Sequence, residues 1–306
     1  MRAEIKPMKT AAETALADAF GALRSKLPGD RRIAERRAAA FEIFDALGLP
    51  HRRVEEWKYT DLRALMRDAK PIAPAPDAHA KERAKSAGAL LADIDARRIT
   101  FVDGAFVPEL SDLAALEPGL RITSMAKALA EADALLAARL GTAVPTDDVA
   151  VALNTAFMGD GALINVARDA KLDRPLHLVF AFASDTAAAS FTRSLVVVED
   201  GARATLIESH DGPDGVDYQT NTALELFVGD RAHVDHVKIG IEGARAIHIS
   251  TLLACIGTEA RLHDLAYTTG GSVVRNQLFV RFAGEAARSE ERRVGKECRS
   301  RWSPYH

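Results

Sequence analysis

Gly201-Ala202-Arg203-Ala204-Thr205-Leu206 returns as Gly229-Asp230-Arg231-Ala232-His233-Val234 and again as Gly257-Thr258-Glu259-Ala260-Arg261-Leu262. The spacing is 28 residues each time, and Gly284-Glu285-Ala286-Ala287 arrives 27 further on. A glycine free to take a positive φ, a small residue turned inward and an apolar strand start together describe the corner of a solenoid. The glycines are then expected to line up along one edge. Around these corners, short β-branched runs follow one another at 163–166, 176–182, 195–198, 204–207, 223–228, 234–239, 247–253 and 273–282, separated by turn residues and by no long helical stretch. An antiparallel sandwich accounts for such strands but not for their recurrence, so the period predicts a parallel β-helix.

The first half of the chain reads as helical. Thr10 and Glu13 fit a capping box ahead of alanine-rich sequence that Pro28-Gly29 ends. Asp30 is placed to cap a second helix, with Ile33, Phe41, Phe44 and Leu47 near one face and Gly48 as the terminal glycine. Thr60 is a candidate cap for a short helix through Met66, and Pro71, Pro74 and Pro76 mark an extended linker. Asp103-Gly104 suits the tight turn of a small hairpin. Ser124 starts a helix that Gly141 stops, and Thr146 one that runs towards Phe157. The fold class expected is therefore α+β: a helical domain with a small hairpin over 1–158, then a parallel β-helix core over 159–287.

From Arg288 the apolar periodicity disappears and basic residues crowd together. The string 288–306 also resembles the in-frame translation of a common sequencing adapter. It is expected to be a non-native tail without packed structure.

Composition narrows the function. A formal charge of −3 over 306 residues argues against a general nucleic-acid binder, which needs a clustered basic surface. The Arg31-Arg32, Arg36-Arg37 and Arg52-Arg53 pairs are explained as solvated helix faces. Neither Cys255 nor Cys298 belongs to a CxxC pair, and Cys255 sits in an apolar run that suits a small buried hydrophobe. No apolar window has the length of a membrane span, and no apolar run follows the basic residues of 1–9, so the expected address is the cytoplasm. Neither GxxxxGK[ST], GxSxG nor HExxH occurs. The one metal-like cluster is His233-Val234-Asp235-His236, with His210, His248 and His263 elsewhere in the β half. On a strand, positions three apart face opposite ways, so His233 and His236 do not grip one ion; stacked rungs bring His233 beside Thr205 or Arg261 instead. No catalytic residue and no metal ligand is assigned, and cofactor-binding residues stay unknown. That absence favours a scaffold over a catalyst.

Arg52-Arg53-Val54-Glu55-Glu56-Trp57-Lys58-Tyr59-Thr60-Asp61-Leu62-Arg63 resembles the N-terminal stretch of the SufB/SufD family of iron–sulfur cluster assembly proteins. Trp57-Lys58-Tyr59-Thr60 points to the SufD branch. Leu153-Asn154-Thr155-Ala156-Phe157, Asp173-Arg174-Pro175-Leu176, Asn221 and Arg275-Asn276-Gln277-Leu278 leading to Gly284-Glu285 are similar to the shared family core. The resemblance covers 11–287. It implies a helical domain followed by a right-handed parallel β-helix, incomplete here at its C-terminal end. It also implies a non-catalytic scaffold of the SufBCD complex in the SUF system, with two partners: SufB, paired through the β-helix, and the ATPase SufC. Both contacts, and the cluster-site histidine, are expected beyond Glu285. No cofactor is expected on this stretch of chain, since the Fe–S cluster is handled by the intact complex. A stack cut between rungs is expected to be poorly soluble alone. The competing classes are a β-helix carbohydrate-active enzyme, which needs clustered acids on one external sheet, and a polymerising structural β-helix, which needs no long helical half.

Overall fold

Thr10 caps the first helix, α1 (Ala11–Leu23), and the capping box is complete: its hydroxyl accepts from Glu13 N–H while Glu13 Oε2 accepts from Thr10 N–H at 2.7 Å. The computed structural model describes residues 8–295. Asp30 caps α2 (Arg31–Leu47), and Gly48 ends it in the left-handed region at φ 70°. Phe44 is buried as expected, but Leu47 points to solvent, one turn past the contact face. Asp61, not Thr60, caps α3 (Leu62–Leu65), and Asp148, not Thr146, caps α7 (Val149–Phe157), because in each case the aspartate stands immediately before the first helical residue. After α4 (Ala78–Arg83), the helix expected from Ser124 to Gly141 is two: α5 (Met125–Ala130) and α6 (Ala134–Arg139). Ala132 turns left-handed between them and Asp133 caps the second.

Thirteen strands follow in two sheets among the described residues. These are β1 (Arg97–Val102), β2 (Ala105–Phe106), β3 (Leu120–Ser124), β4 (Ala162–Val166), β5 (Leu176–Ala181), β6 (Ala189–Val198), β7 (Arg203–Asp211), β8 (Gln219–Val228), β9 (His233–Glu242), β10 (Ile247–Ile256), β11 (Arg261–Gly270), β12 (Val273–Phe282) and β13 (Arg288–Gly295). One sheet runs β13-β11-β9-β7-β5-β1-β2 and the other β12-β10-β8-β6-β4-β3. From β4 onwards the chain alternates between sheets and every pairing within the stack is parallel, which makes a β-solenoid of about five turns. Asp103 and Gly104 both have positive φ, as a type I′ turn requires. Their hairpin is not confined to the helical layer, since β1 pairs in parallel with β5 and so begins the first sheet.

The corner differs from its sequence reading. Arg203 pairs with His233, 30 positions on; His233 pairs with Arg261, 28 on; Arg261 pairs with Arg288, 27 on. Gly229 and Gly257 stack, but Gly201 does not join them. It shares the left-handed place of Arg231 and Glu259, with φ of 70°, 58° and 56°. Gly201, Arg231 and Glu259 each donate their N–H to the next rung at 2.8 Å. Gly229 and Gly257 serve another purpose, close approach. A Cβ on Gly229 would lie 2.6 Å from Asp200 N, and one on Gly257 2.9 Å from Asp230 N. Asp200 and Asp230 carry the ladder outward, each carboxylate accepting from the backbone N–H one rung on.

Arg288–Gly295, expected to lie outside packed structure, sits in the stack as β13 against β11. Backbone pairing needs no apolar periodicity, and its outward residues are polar except for the exposed Val294. The rest of the tail, 296–306, lies outside the described residues.

α1, α2, α3, α5, α6 and α7 cover the outer face of the second sheet, while α4 packs on β1 and β5 of the first. Phe20 stacks on Phe41 and meets Phe157 edge-on, and Phe157 stacks on Phe191 of β6. Leu16, Leu62 and Leu153 close the same core over Ile247 and Ile249 of β10.

Candidate functional site

Residue parity sorts each strand into an inward and an outward set. Inward on β7 come first Ala204 and Leu206, on β9 Val234 and on β11 Leu262, packed against Leu224, Leu226, Leu252 and Ala254 of the opposite sheet. That half of the lumen is apolar and adjoins the tight glycine corner. Further along the same strands the inward positions turn polar: Glu208 and His210, His236 and Lys238, then Asp264. Thr220, His248 and Asn276 face them from β8, β10 and β12. The solenoid thus encloses a buried polar row beside its apolar core.

Two networks fill this row. In the first, His236 lies between carboxylates one rung below and one above. Nδ1 is 2.7 Å from Asp264 Oδ1 and Nε2 is 3.2 Å from Glu208 Oε2. Burial opposes a charge on the imidazole, but the two hydrogen-bonded carboxylates outweigh it and raise His236 to about 9. Burial likewise works against ionising Glu208 and Asp264, and His236 nevertheless holds both below the usual carboxylate range. In the second network, Lys238 reaches across the lumen to His248 Nε2 at 2.9 Å and Asn276 Oδ1 at 2.7 Å. His248 Nδ1 meets Thr220 Oγ1 and Glu242 Oε1, each at 2.7 Å, and Tyr218 donates to the other oxygen of Glu242. Burial pulls Lys238 down to about 8 against the attraction of Glu208 and Glu242. Burial, with the Lys238 charge, holds His210 and His248 neutral, and burial raises Glu242 despite its bond from Tyr218. His210 stacks on Phe180, and its Nε2 has no hydrogen-bond partner. The arrangement can hold protons at fixed places; its groups are engaged mainly with one another.

The sequence reading missed this row because its members are dispersed along the chain. The signal was present: Glu208, His236 and Asp264 are 28 apart, as are Thr220, His248 and Asn276, and all six share inward parity. The expected separation of His233 and His236 holds, with His233 facing out and His236 in. His233 neighbours Arg261 as expected but Arg203 rather than Thr205, because that rung is two residues longer. Among the described residues, two groups could place three donor atoms about one ion: buried His210, Glu242 and His248, and the outward His233, Asp235 and His263. Cys255 lies outside the lumen, buried under α5 and α6, with Arg281 donating to its sulfur at 3.1 Å.

The motif residues hold the architecture together. Trp57 is buried, with its indole N–H on Asp148 and the Arg275 guanidinium 3.9 Å above its ring. Arg275 also donates to Glu56 O, and Gln277 to Asp148. Asn154 on α7 donates to the carbonyls of Thr192 and Asn221, while Asn221 donates back to Ala150 O. Arg174 reaches Asp95 and Asp112.

Such a molecule belongs to the class of parallel β-solenoids braced by a helical layer, with a filled lumen in place of an open cleft. Residues 22–178 match the SufBD protein N-terminal region, and residues 180–295 match the SufBD core domain of SUF system FeS cluster assembly. The chain belongs to the SufB/SufD family of iron–sulfur cluster assembly proteins. A SufBD family protein of Synechocystis sp. is 30% identical over 271 residues, covering 85% of this chain and 59% of its own length. The iron–sulfur cluster assembly protein SufD of Escherichia coli is 26% identical over 241 residues, covering 78% of this chain and 53% of its own. The chain therefore spans little more than half the length of these relatives. No helix among the described residues is long and apolar enough to cross a membrane.

Proposed function

We propose that the chain is the SufD-type scaffold subunit of a cytoplasmic SufBCD complex and performs no catalysis of its own. The observation that carries the reading is the match of both SufBD regions, end to end, along one chain. The engagement of the buried titratable groups with one another supports the non-catalytic part, since a general acid or base must reach a substrate proton. The subunit pairs with SufB through the solenoid and engages the ATPase SufC, and the Fe–S cluster is cargo of the assembled complex. An affinity tag placed on the chromosomal gene tests this directly. Recovery of SufB and SufC in stoichiometric amounts, with several-fold lower aconitase activity when the gene is disrupted, is the expected result. Capture of neither partner, with Fe–S enzyme activities unchanged on disruption, overturns it.

A further inference from the structure

On the outer face of the first sheet, β9 and β11 run side by side with Asp235 paired to His263 and His233 paired to Arg261. Parity puts His233, Asp235 and His263 on the same side, away from the lumen. His263 Nδ1 is 2.9 Å and His233 Nε2 is 3.3 Å from the same carboxylate oxygen, Asp235 Oδ1. The two imidazoles stand at 90° to each other, with centroids 5.0 Å apart. We propose that His233, Asp235 and His263 form an exchangeable site for a divalent first-row transition metal ion.

Geometry is the first ground. An ion bound tetrahedrally at roughly 2.0–2.1 Å holds its donor atoms about 3.3 Å apart. The two edges that meet at Asp235 Oδ1, 2.9 and 3.3 Å, lie just below and at that value, and all three donors lie within 4.8 Å of one another. Donor chemistry is the second. Two imidazoles and one carboxylate suit the borderline ions, zinc and its neighbours, over calcium or magnesium, which require oxygen ligands. Access is the third: the side chains are 28%, 46% and 50% exposed, so the remaining coordination positions open to water and the ion can exchange.

The buried trio does not compete for this role. Lys238 already occupies His248 Nε2, and Tyr218 holds one oxygen of Glu242, so an entering cation would displace a protein donor and meet an ammonium. Outside, Arg203 and Arg261 flank His233 in register on exposed positions and repel a cation at long range. Replacing one of them should therefore tighten the site. All ligands come from β9 and β11, so nothing is asked of β13.

The test is zinc titration of the purified chain by calorimetry at pH 7.5, with Co2+ absorption as a second readout of coordination. Wild type is expected to bind one equivalent that the His233→Ala/His263→Ala double variant lacks. Each single variant should weaken binding at least tenfold, and His79→Ala, an exposed histidine elsewhere, should leave it unchanged. Arg261→Gln should bind several-fold more tightly. The substituted side chains are outward and partly or fully exposed, and circular dichroism confirms that each variant folds. A double variant that binds the same number of zinc ions with the same affinity overturns the assignment.

Discussion

His236 is charged because two carboxylates demand it, not because its surroundings favour charge. Its folded value of about 9 stands above the ordinary imidazole value of about 6.5. The stability it contributes is therefore complete below about pH 6.5 and is lost as the pH rises through 9. Glu208 and Asp264 are shifted the other way; their contribution is present above about pH 4 and fades as the pH falls through their depressed values. Lys238, pulled down to about 8, opposes folding increasingly as the pH falls below its ordinary value of about 10.4, and fully below about 8, so a variant comparison is needed to cancel it. The denaturation midpoints of wild type and His236→Gln should differ most near pH 5.5 and converge towards pH 9. A gap that stays constant or widens over that range removes the charged row from the account. Glu225 makes a related case on the outer side of β8: Arg193 meets it at 2.6 Å with both side chains buried. Glu225→Ala strands a buried guanidinium and should cost about 3–5 kcal/mol in chemical denaturation.

At the scale of elements, the corner and the helix respond oppositely to the same chemical change. Gly229 has backbone of the preceding rung where a Cβ would stand, and backbone cannot swing aside. Gly229→Ala should destabilise by roughly 1–3 kcal/mol, the usual cost of overpacking a filled site. Gly21 lies within α1 with nothing within 4 Å of its would-be Cβ. Gly21→Ala should stabilise by about 0.5–1 kcal/mol, through lost backbone freedom in the unfolded chain. Thermal unfolding of the pair reads both signs at once, and an unchanged midpoint for Gly229→Ala would mean the rungs are not held at that spacing. The left-handed corner carries no such glycine requirement, since Arg231 and Glu259 occupy it.

For the molecule as a whole, the joint at Trp57 is one of several that tie the helical layer to the solenoid. Trp57, from the N-terminal segment, is pinned between Asp148 on the α7 cap and Arg275 on β12. Trp57→Ala empties a large buried site and should cost about 3–5 kcal/mol. Arg275→Ala removes a cation–π contact and a hydrogen bond, at about 1–3 kcal/mol. Both variants should become cleavable by protease in the proline-bearing linker around 71–76 while the β signal of the solenoid persists. Protease resistance equal to wild type would show that the layer is held elsewhere.

Local rules written in neighbouring residues were legible from the chain alone. The capping box at Thr10 and Glu13, the Asp103-Gly104 turn and the eight strand runs depend on φ preferences and alternation, which act over a few residues, and the recurring glycine motif showed that the strands stack. Rung lengths of 30, 28 and 27 were not legible, because a two-residue insertion in one corner shifts a register that only the facing strand can reveal. The same holds for the chemistry. Glu208, His236 and Asp264 become one site, and Asp235 and His263 another, only when successive turns are laid about 4.8 Å apart, the spacing that backbone hydrogen bonds between parallel strands impose. Which way each strand faces was decided by the apolar residues that had to be buried; which polar residues then met was decided by the stacking.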